Sequence, residues 1–262
     1  MRWVGVGYRR EIAEWISTKP EAMDSVEITA EHFFDDGLPV LEWLRQNYVT
    51  FVHGLGLSLG TPGPLDRSTL ASFSNVAERA DAKWVSEHVS FTRTGEIDLG
   101  HLNPVPLTKD SLQVMTEHAL EVADYCKRPL VLENITFDLK LGGNFSEPEF
   151  LNLLCEKANC KLLLDITNLY INSQNHGFCP EEWLREIEPT NLRQIHVVGY
   201  SKVDGFFRDF HGSKIQSELL DLLRVVLDYA AVESIILERD ERLEELDEIA
   251  NEVSVIQGIA NG

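Results

Sequence analysis

Six stretches of this chain end alike. "TFVHG", "VSEHV", "VLENI", "LLLDITN", "QIHVV" and "IILER" are short apolar runs that finish on histidine or a carboxylate. The residues are His53, Glu87 with His88, Glu133 with Asn134, Asp165 with Asn168, His196, and Glu238. Any one of them reads as a satisfied core histidine or a paired acid. Six in succession, with Arg239 the one cation at these strand ends, would repel one another unless metal ions neutralise them. Asp165, which follows three leucines, is the plainest case: an unpaired charge closing so apolar a run is costly, and metal ligation is the simplest reason for it. Two further stretches add "NSQNHGF", with His176, and "RDFHG", with Asp209 and His211. His176, Asp209 and His211 have the composition of a two-histidine, one-carboxylate triad, as do His53, His88 and Glu133. Such triads leave open positions and suit non-haem iron, but imidazole and carboxylate suit manganese and zinc as well. With no CxxC pair among Cys126, Cys155, Cys160 and Cys179, a structural thiolate zinc site is not expected.

The elements that must position these groups are legible in the apolar pattern. Strands are expected at 3–8, 25–29, 50–57, 83–91, 129–136, 161–167, 193–200 and 234–239. Amphipathic helical segments such as "SLQVMTEHALEVADYC" and "SELLDLLRVVLDYA" lie between them. Eight strands alternating with helices in 262 residues predict an α/β fold, a (β/α)8 TIM barrel, with 1–262 as a single catalytic domain. An open doubly wound sheet is the alternative, but no GxGxxG follows the first strand. Long loops are expected after strands three, four and seven, at the carboxyl end where barrel enzymes build their sites.

The net charge of −20 argues against a nucleic-acid partner, which calls for a basic face. No run approaches the ~20 apolar residues of a membrane span, and "MRWVGVGYRR" lacks the features of a signal peptide. A cytoplasmic protein with reduced thiols is the expectation. Cys155, Cys160 and Cys179 read as buried apolar residues, Cys179 with pocket chemistry as its alternative. His118 reads as helix surface, while His32 and His101 stay unassigned.

Taken together, "HGLGLSLG", "VSEHVSF", "VLENI", "LLLDITNLY", "NHGF", "IHVVGY", "DFHG" and "LERD" resemble, in order and spacing, the multinuclear non-haem iron-dependent oxidative enzymes. The resemblance runs over nearly the whole chain. It implies a TIM barrel holding two or three iron ions, ferrous and ferric, with O2 as co-substrate. It also implies a ribosomally made precursor peptide as substrate, often modified at cysteine, and a separate partner protein that grips the peptide's leader. Carried onto this sequence, one ion would take His53, His88 and Glu133. A second would share Glu133 and add Asp165, His196 and Glu238. A third would take His176, Asp209 and His211, with Asn168 as a further ligand. Glu133, Asp165 and His211 are the expected catalytic residues, and Glu31 and Asn134 are expected to orient ligands. Tyr200, His32 and Ile135 depart from the family's common His, Asn and Pro at those places. A redox-neutral divalent-metal isomerase or hydrolase, of the xylose isomerase or endonuclease IV kind, is the competing class. A scaffold that has lost activity is a third.

Overall fold

A computed structural model describes residues 2–35, 37–95 and 97–262. Eight parallel strands close into a barrel: β1 (Trp3–Gly7), β2 (Ser25–Thr29), β3 (Val49–His53), β4 (Val85–His88), β7 (Leu130–Glu133), β8 (Lys161–Asp165), β9 (Leu192–Val197) and β12 (Ser234–Leu237), with β1 paired to both β2 and β12. Every expected strand is present. Most end earlier than the apolar runs do, because the backbone turns away directly after the histidine or acid. The regions expected as loops after strands four and seven are antiparallel hairpins instead, β5 (Ser90–Thr94) with β6 (Ile97–Pro104) and β10 (Gly199–Val203) with β11 (Phe206–Ser213). Their mixed polar composition suits ribbons half open to water, and it hid them from a search for apolar runs.

The outer layer consists of α1 (Ala13–Thr18), α2 (Leu38–Asn47), α3 (Arg67–Arg79), α4 (Lys109–Cys126), α5 (Glu147–Ala158), α6 (Ile166–His176), α7 (Pro180–Glu186), α8 (Ser217–Tyr229) and α9 (Leu246–Asn261). The starts of α3, α4 and α5 are capped by side chains. Asp66 accepts from the Thr69 amide, Thr108 from that of Ser111, and Ser146 forms a reciprocal capping box with Glu149. His118, expected on the surface of α4, is buried and places its ring nitrogens 2.8 and 2.7 Å from the carbonyls of Leu59 and Gly63. It ties the long β3–α3 connection to α4. Cys155 and Cys160 are buried as expected, whereas Cys179 is exposed. No helix among the described residues is long and apolar enough to cross a membrane.

The lumen is stacked in levels. Phe51, Trp84, Val131, Leu163 and Ile236 form an apolar floor, with the Phe51 and Trp84 rings stacked at 4.2 Å. Above it, Trp84 Nε1 donates to Gln194 Oε1 at 2.5 Å, and Gln194 Nε2 donates to Glu27 Oε2 at 2.5 Å. Strand register then sets His53 beside Ser86, His88 beside Glu133, and Asp165 beside His196. Gly5 on β1 leaves no space for a side chain, since a Cβ there would lie 1.9 Å from the Ser25 carbonyl oxygen. Gly5→Ala is expected to lower stability by about 1–3 kcal/mol through overpacking, read as a lower urea midpoint at unchanged slope.

Candidate metal centre

Glu133, at the end of β7, lies at the middle of the site. Its Oε2 is 3.4 Å from His53 Nε2 and 3.3 Å from His88 Nε2, and those two nitrogens are 3.3 Å apart. Three donor atoms at this spacing leave room for one ion at typical ligand distances of about 2.0–2.1 Å. On its other side, Glu133 Oε1 is 3.2 Å from His196 Nδ1, which lies 2.9 Å from Glu238 Oε2. Ligand atoms of Glu133, Asp165, His196 and Glu238 all fall within 4.8 Å of one another, and so do those of His211, Glu238 and Asp240. Glu133 thus belongs to two groups and Glu238 to two.

Each ring is turned by a partner on its other nitrogen, the arrangement that fixes the tautomer of a ligating histidine. His53 Nδ1 lies 2.9 Å from Ser86 Oγ. His88 Nδ1 lies 3.2 Å from Glu87 Oε2, and Glu87 in turn accepts from the Leu57 amide. His196 Nε2 lies 2.6 Å from Glu27 Oε1. Glu27 sits mid-strand in "SVEIT", where its period-2 position on an otherwise apolar strand was the signal available to sequence reasoning. Asp165 answers for its own place: Oδ1 caps α6 by accepting from the Asn168 amide at 2.7 Å, and Oδ2 is buried without a hydrogen-bond partner. Asn134, expected to orient ligands, holds the Asp165 backbone through both its amide and its carbonyl. Glu31 accepts from the Leu55 and Gly56 amides instead, which fixes the turn after β3.

The third expected group is the one the structure rearranges. His176 is the last residue of α6 rather than part of a loop. Its ring stacks on Phe137 with Nε2 2.8 Å from the Phe137 carbonyl, outside the ligand groups. Asp209 lies behind His211, with Oδ2 2.7 Å from Nε2, while His211 Nδ1 faces Asp240 Oδ2 at 3.0 Å and Glu238 Oε2 at 3.8 Å. Asp240, two residues beyond Glu238 in "LERD", takes the place expected of His176. His211 occupies left-handed backbone at φ 51°, and its carbonyl accepts from the Asp240 amide at 2.8 Å. Asn168 donates from its side chain to the Asn134 carbonyl and keeps Oδ1 buried and unpartnered. The cation reckoning also changes. Arg239 points outward to Glu248 and Glu252, whereas Arg9 lines the pocket and donates to Asp240 Oδ1 at 2.5 Å.

Buried acceptors without partners include Glu133 Oε2, Asp165 Oδ2, Asn168 Oδ1 and Asp209 Oδ1. Such a concentration at one spot is costly unless something positive lies among them. The residues therefore fit divalent ions. Without an ion, protons take that role. Burial works against a charged His88 ring, but Glu133 and Glu87 outweigh it and hold its pKa up to about 9. Burial likewise opposes charge on His196, and Glu27, Glu238 and Glu133 overcome it to hold the ring well above the usual imidazole range. Burial, followed by the neighbouring His88 and His196 rings, pushes His53 well below that range. Burial and the charges of Asp209 and Glu133 drive Asp165 well above the usual carboxylate range.

A family model described as "RiPP precursor modification enzyme MbnB/TglH/ChrH" matches residues 3–261. A "UPF0276 protein" of Shewanella sediminis is 31% identical over 258 residues, covering 97% of this chain and 92% of that protein. Among solved structures, D-psicose 3-epimerase from Clostridium cellulolyticum superposes with a TM-score of 0.63 at 12% identity, covering 99% and 98% of the two chains. Endonuclease IV from Thermus thermophilus gives 0.62 at 16%, covering 99% of each. At these identities the structural likenesses show the barrel fold alone.

Three outcomes follow from the geometry. Because ions must displace protons from His88 and His196, metal affinity is expected to rise with pH up to about 9. Titration calorimetry in buffers of different ionisation enthalpy would then report proton release. Glu133→Ala removes a donor from two groups, so elemental analysis is expected to show less metal at both. Glu27→Gln leaves every donor in place and is expected to weaken affinity by about 10–100-fold.

Proposed function

The chain belongs to the RiPP precursor modification enzyme MbnB/TglH/ChrH family, and on that premise we propose that it is an iron- and O2-dependent oxidoreductase. Its substrate would be a residue, cysteine first among candidates, of a ribosomally made precursor peptide. The observation that carries this reading is the pair of ligand groups joined at Glu133, which is suited to two adjacent ions. His53, His88 and Glu133 would hold one ion, and Glu133, Asp165, His196 and Glu238 the second. His211, Glu238 and Asp240 would hold a third. Glu133, Asp165 and His211 would be the residues on which turnover depends. Residues 1–262 would act as one catalytic domain, since β1 and β12 must pair to close the barrel.

Iron, when bound, supplies one-electron redox chemistry and the activation of O2. The chain's own part is binding, orientation and proton handling. The two inner groups are buried, and in the outer one Asp240 is exposed, so substrate would enter at the His211–Asp240 end. Leu55, Leu102 and Ile135 line that pocket of about 490 Å3 and would exclude water around the reacting bond. Asp209 faces the pocket with Oδ1 unpartnered while Oδ2 holds His211. It would take the proton of an entering thiol at Oδ1. The two groups that share Glu133 would hold ions side by side, and orienting the peptide residue beside them can be worth ~7–11 kcal/mol. A separate protein would present the peptide's leader, and a cytoplasmic setting would keep the four cysteines reduced.

The redox-neutral class, isomerase or hydrolase, would need no oxidant. Elemental analysis after anaerobic purification separates the two. Two or three irons per chain, with peptide oxidation only in the presence of O2, is the expected result. Stoichiometric zinc or manganese with anaerobic turnover overturns it. His176→Ala is expected to keep the metal content, and His211→Ala to lower it.

A further inference from the structure

Of the cavities that adjoin at the carboxyl face, three share the segment that follows β7. The metal pocket opens past Thr136, His101 and Asp209 into a cleft of about 400 Å3 between the two hairpins. That cleft shares Phe137, Leu139 and Leu141 with a third cavity, also about 400 Å3, which lies over the start of α5 and against α7. The segment from Asn134 to Leu141, which has no regular structure, is the common wall of all three. Together they form a groove of the kind an extended peptide would follow.

The third cavity differs in chemistry from the other two. Its walls are apolar, with Ile135, Phe150, Leu151 and Phe178 among them, and Leu139 at its rim is 70% exposed. One end is acidic: Glu147, Glu182 and Glu186 line it, with Lys140 as the cation of the same wall. Glu147 Oε2 accepts from Trp183 Nε1 at 3.0 Å. Burial pushes the Glu147 carboxyl up to about 7, with the Trp183 hydrogen bond and the Lys140 charge pulling it back. Lys140 itself lies with its ammonium 5.7 Å from the centre of the Phe178 ring, so the wall already accommodates a cation over an aromatic face.

We propose that this third cavity is a subsite for a basic side chain of the precursor peptide, its methylene stem against the apolar wall and its charged head at Glu147. A lysine or arginine has both parts, an apolar stem and a cationic tip. Continuity with the metal pocket makes the occupant a residue of the same peptide whose other residue reacts. The acidic end disfavours acidic side chains, and a purely apolar one would add nothing to the Trp183 hydrogen bond and the Lys140 charge that Glu147 already has. The inference rests on the reading of the chain as a peptide-modifying enzyme, but its chemistry can be tested without turnover.

The test uses blocked glycine pentapeptides carrying lysine, norleucine or glutamate at the centre, with binding to the metal-loaded protein followed by saturation-transfer NMR. Norleucine matches the lysine stem and lacks the ammonium. Lysine is expected to bind at least about tenfold more tightly than norleucine, and glutamate most weakly. Glu147→Gln, which keeps an oxygen for Trp183, is expected to bring the lysine-to-norleucine ratio close to one. A collapsed cavity would weaken both peptides and leave no such selective change. Equal binding of lysine and norleucine, or a ratio unmoved in Glu147→Gln, overturns the subsite. Loss of the iron reading alone leaves these ratios as they are, so the two failures are distinguishable.

Discussion

The carboxylate of Glu133 is the contact on which this molecule's site depends. Its two oxygens face three imidazoles, those of His53, His88 and His196, at 3.2–3.4 Å, and the whole group is buried. A lone buried carboxylate would be unfavourable by several kcal/mol, and each added acid makes the site worse without compensation. Asp165, Glu238 and Glu27 are nevertheless packed around it. The arrangement is tolerable because rings and acids alternate, and because the unpartnered oxygens converge where cations can be taken up.

Holding the rings in that alternation takes more of the structure than the ligands themselves. His196 is turned by Glu27, Glu27 by Gln194, and Gln194 by the Trp84 indole, which rests on Phe51 in the apolar floor. The orientation of one ligand is thus transmitted from the packed base of the barrel. His53 relies on Ser86 and His88 on Glu87, so neighbouring strands β3 and β4 fix one another's donors. Asp165 is held twice, as the cap of α6 and through the side chain of Asn134. A rigid scaffold of this kind suits a centre in which donor atoms must lie a few ångströms apart without collapsing into simple ion pairs.

The open end is built differently. Two hairpins and the irregular segment after β7 rim the mouth, with the partly exposed His211 and the exposed Asp240 at its edge. Arg9 on the far side offsets Asp240. The two inner groups are buried, and the outer one reaches the surface at Asp240. The neighbouring cavities extend that access along the surface, apolar and then acidic, in keeping with a peptide substrate.

The barrel, and the six residues that gather at the ends of its strands, can be read from the chain alone. Short apolar runs separated by amphipathic helices specify alternating strands and helices, and a histidine or acid closing such a run can be read one strand at a time. That is how His53, His88, Glu133, Asp165, His196 and Glu238 were legible. Which side chains meet was set by the packing of the folded chain. Glu27 was missed because the ring it turns, His196, lies on another strand, and Asp240 because it meets His211 only in the folded chain; sequence spacing carries no distance across a barrel. His176 stood in a suggestive motif, yet α6 starts at Ile166 and runs without a break, which carries the ring to Phe137. Local pattern fixes the period of an element and the residue that ends it. Register between strands and the direction of a helix fix whether two donors come within reach of one ion, and those are set by the packing of the whole chain.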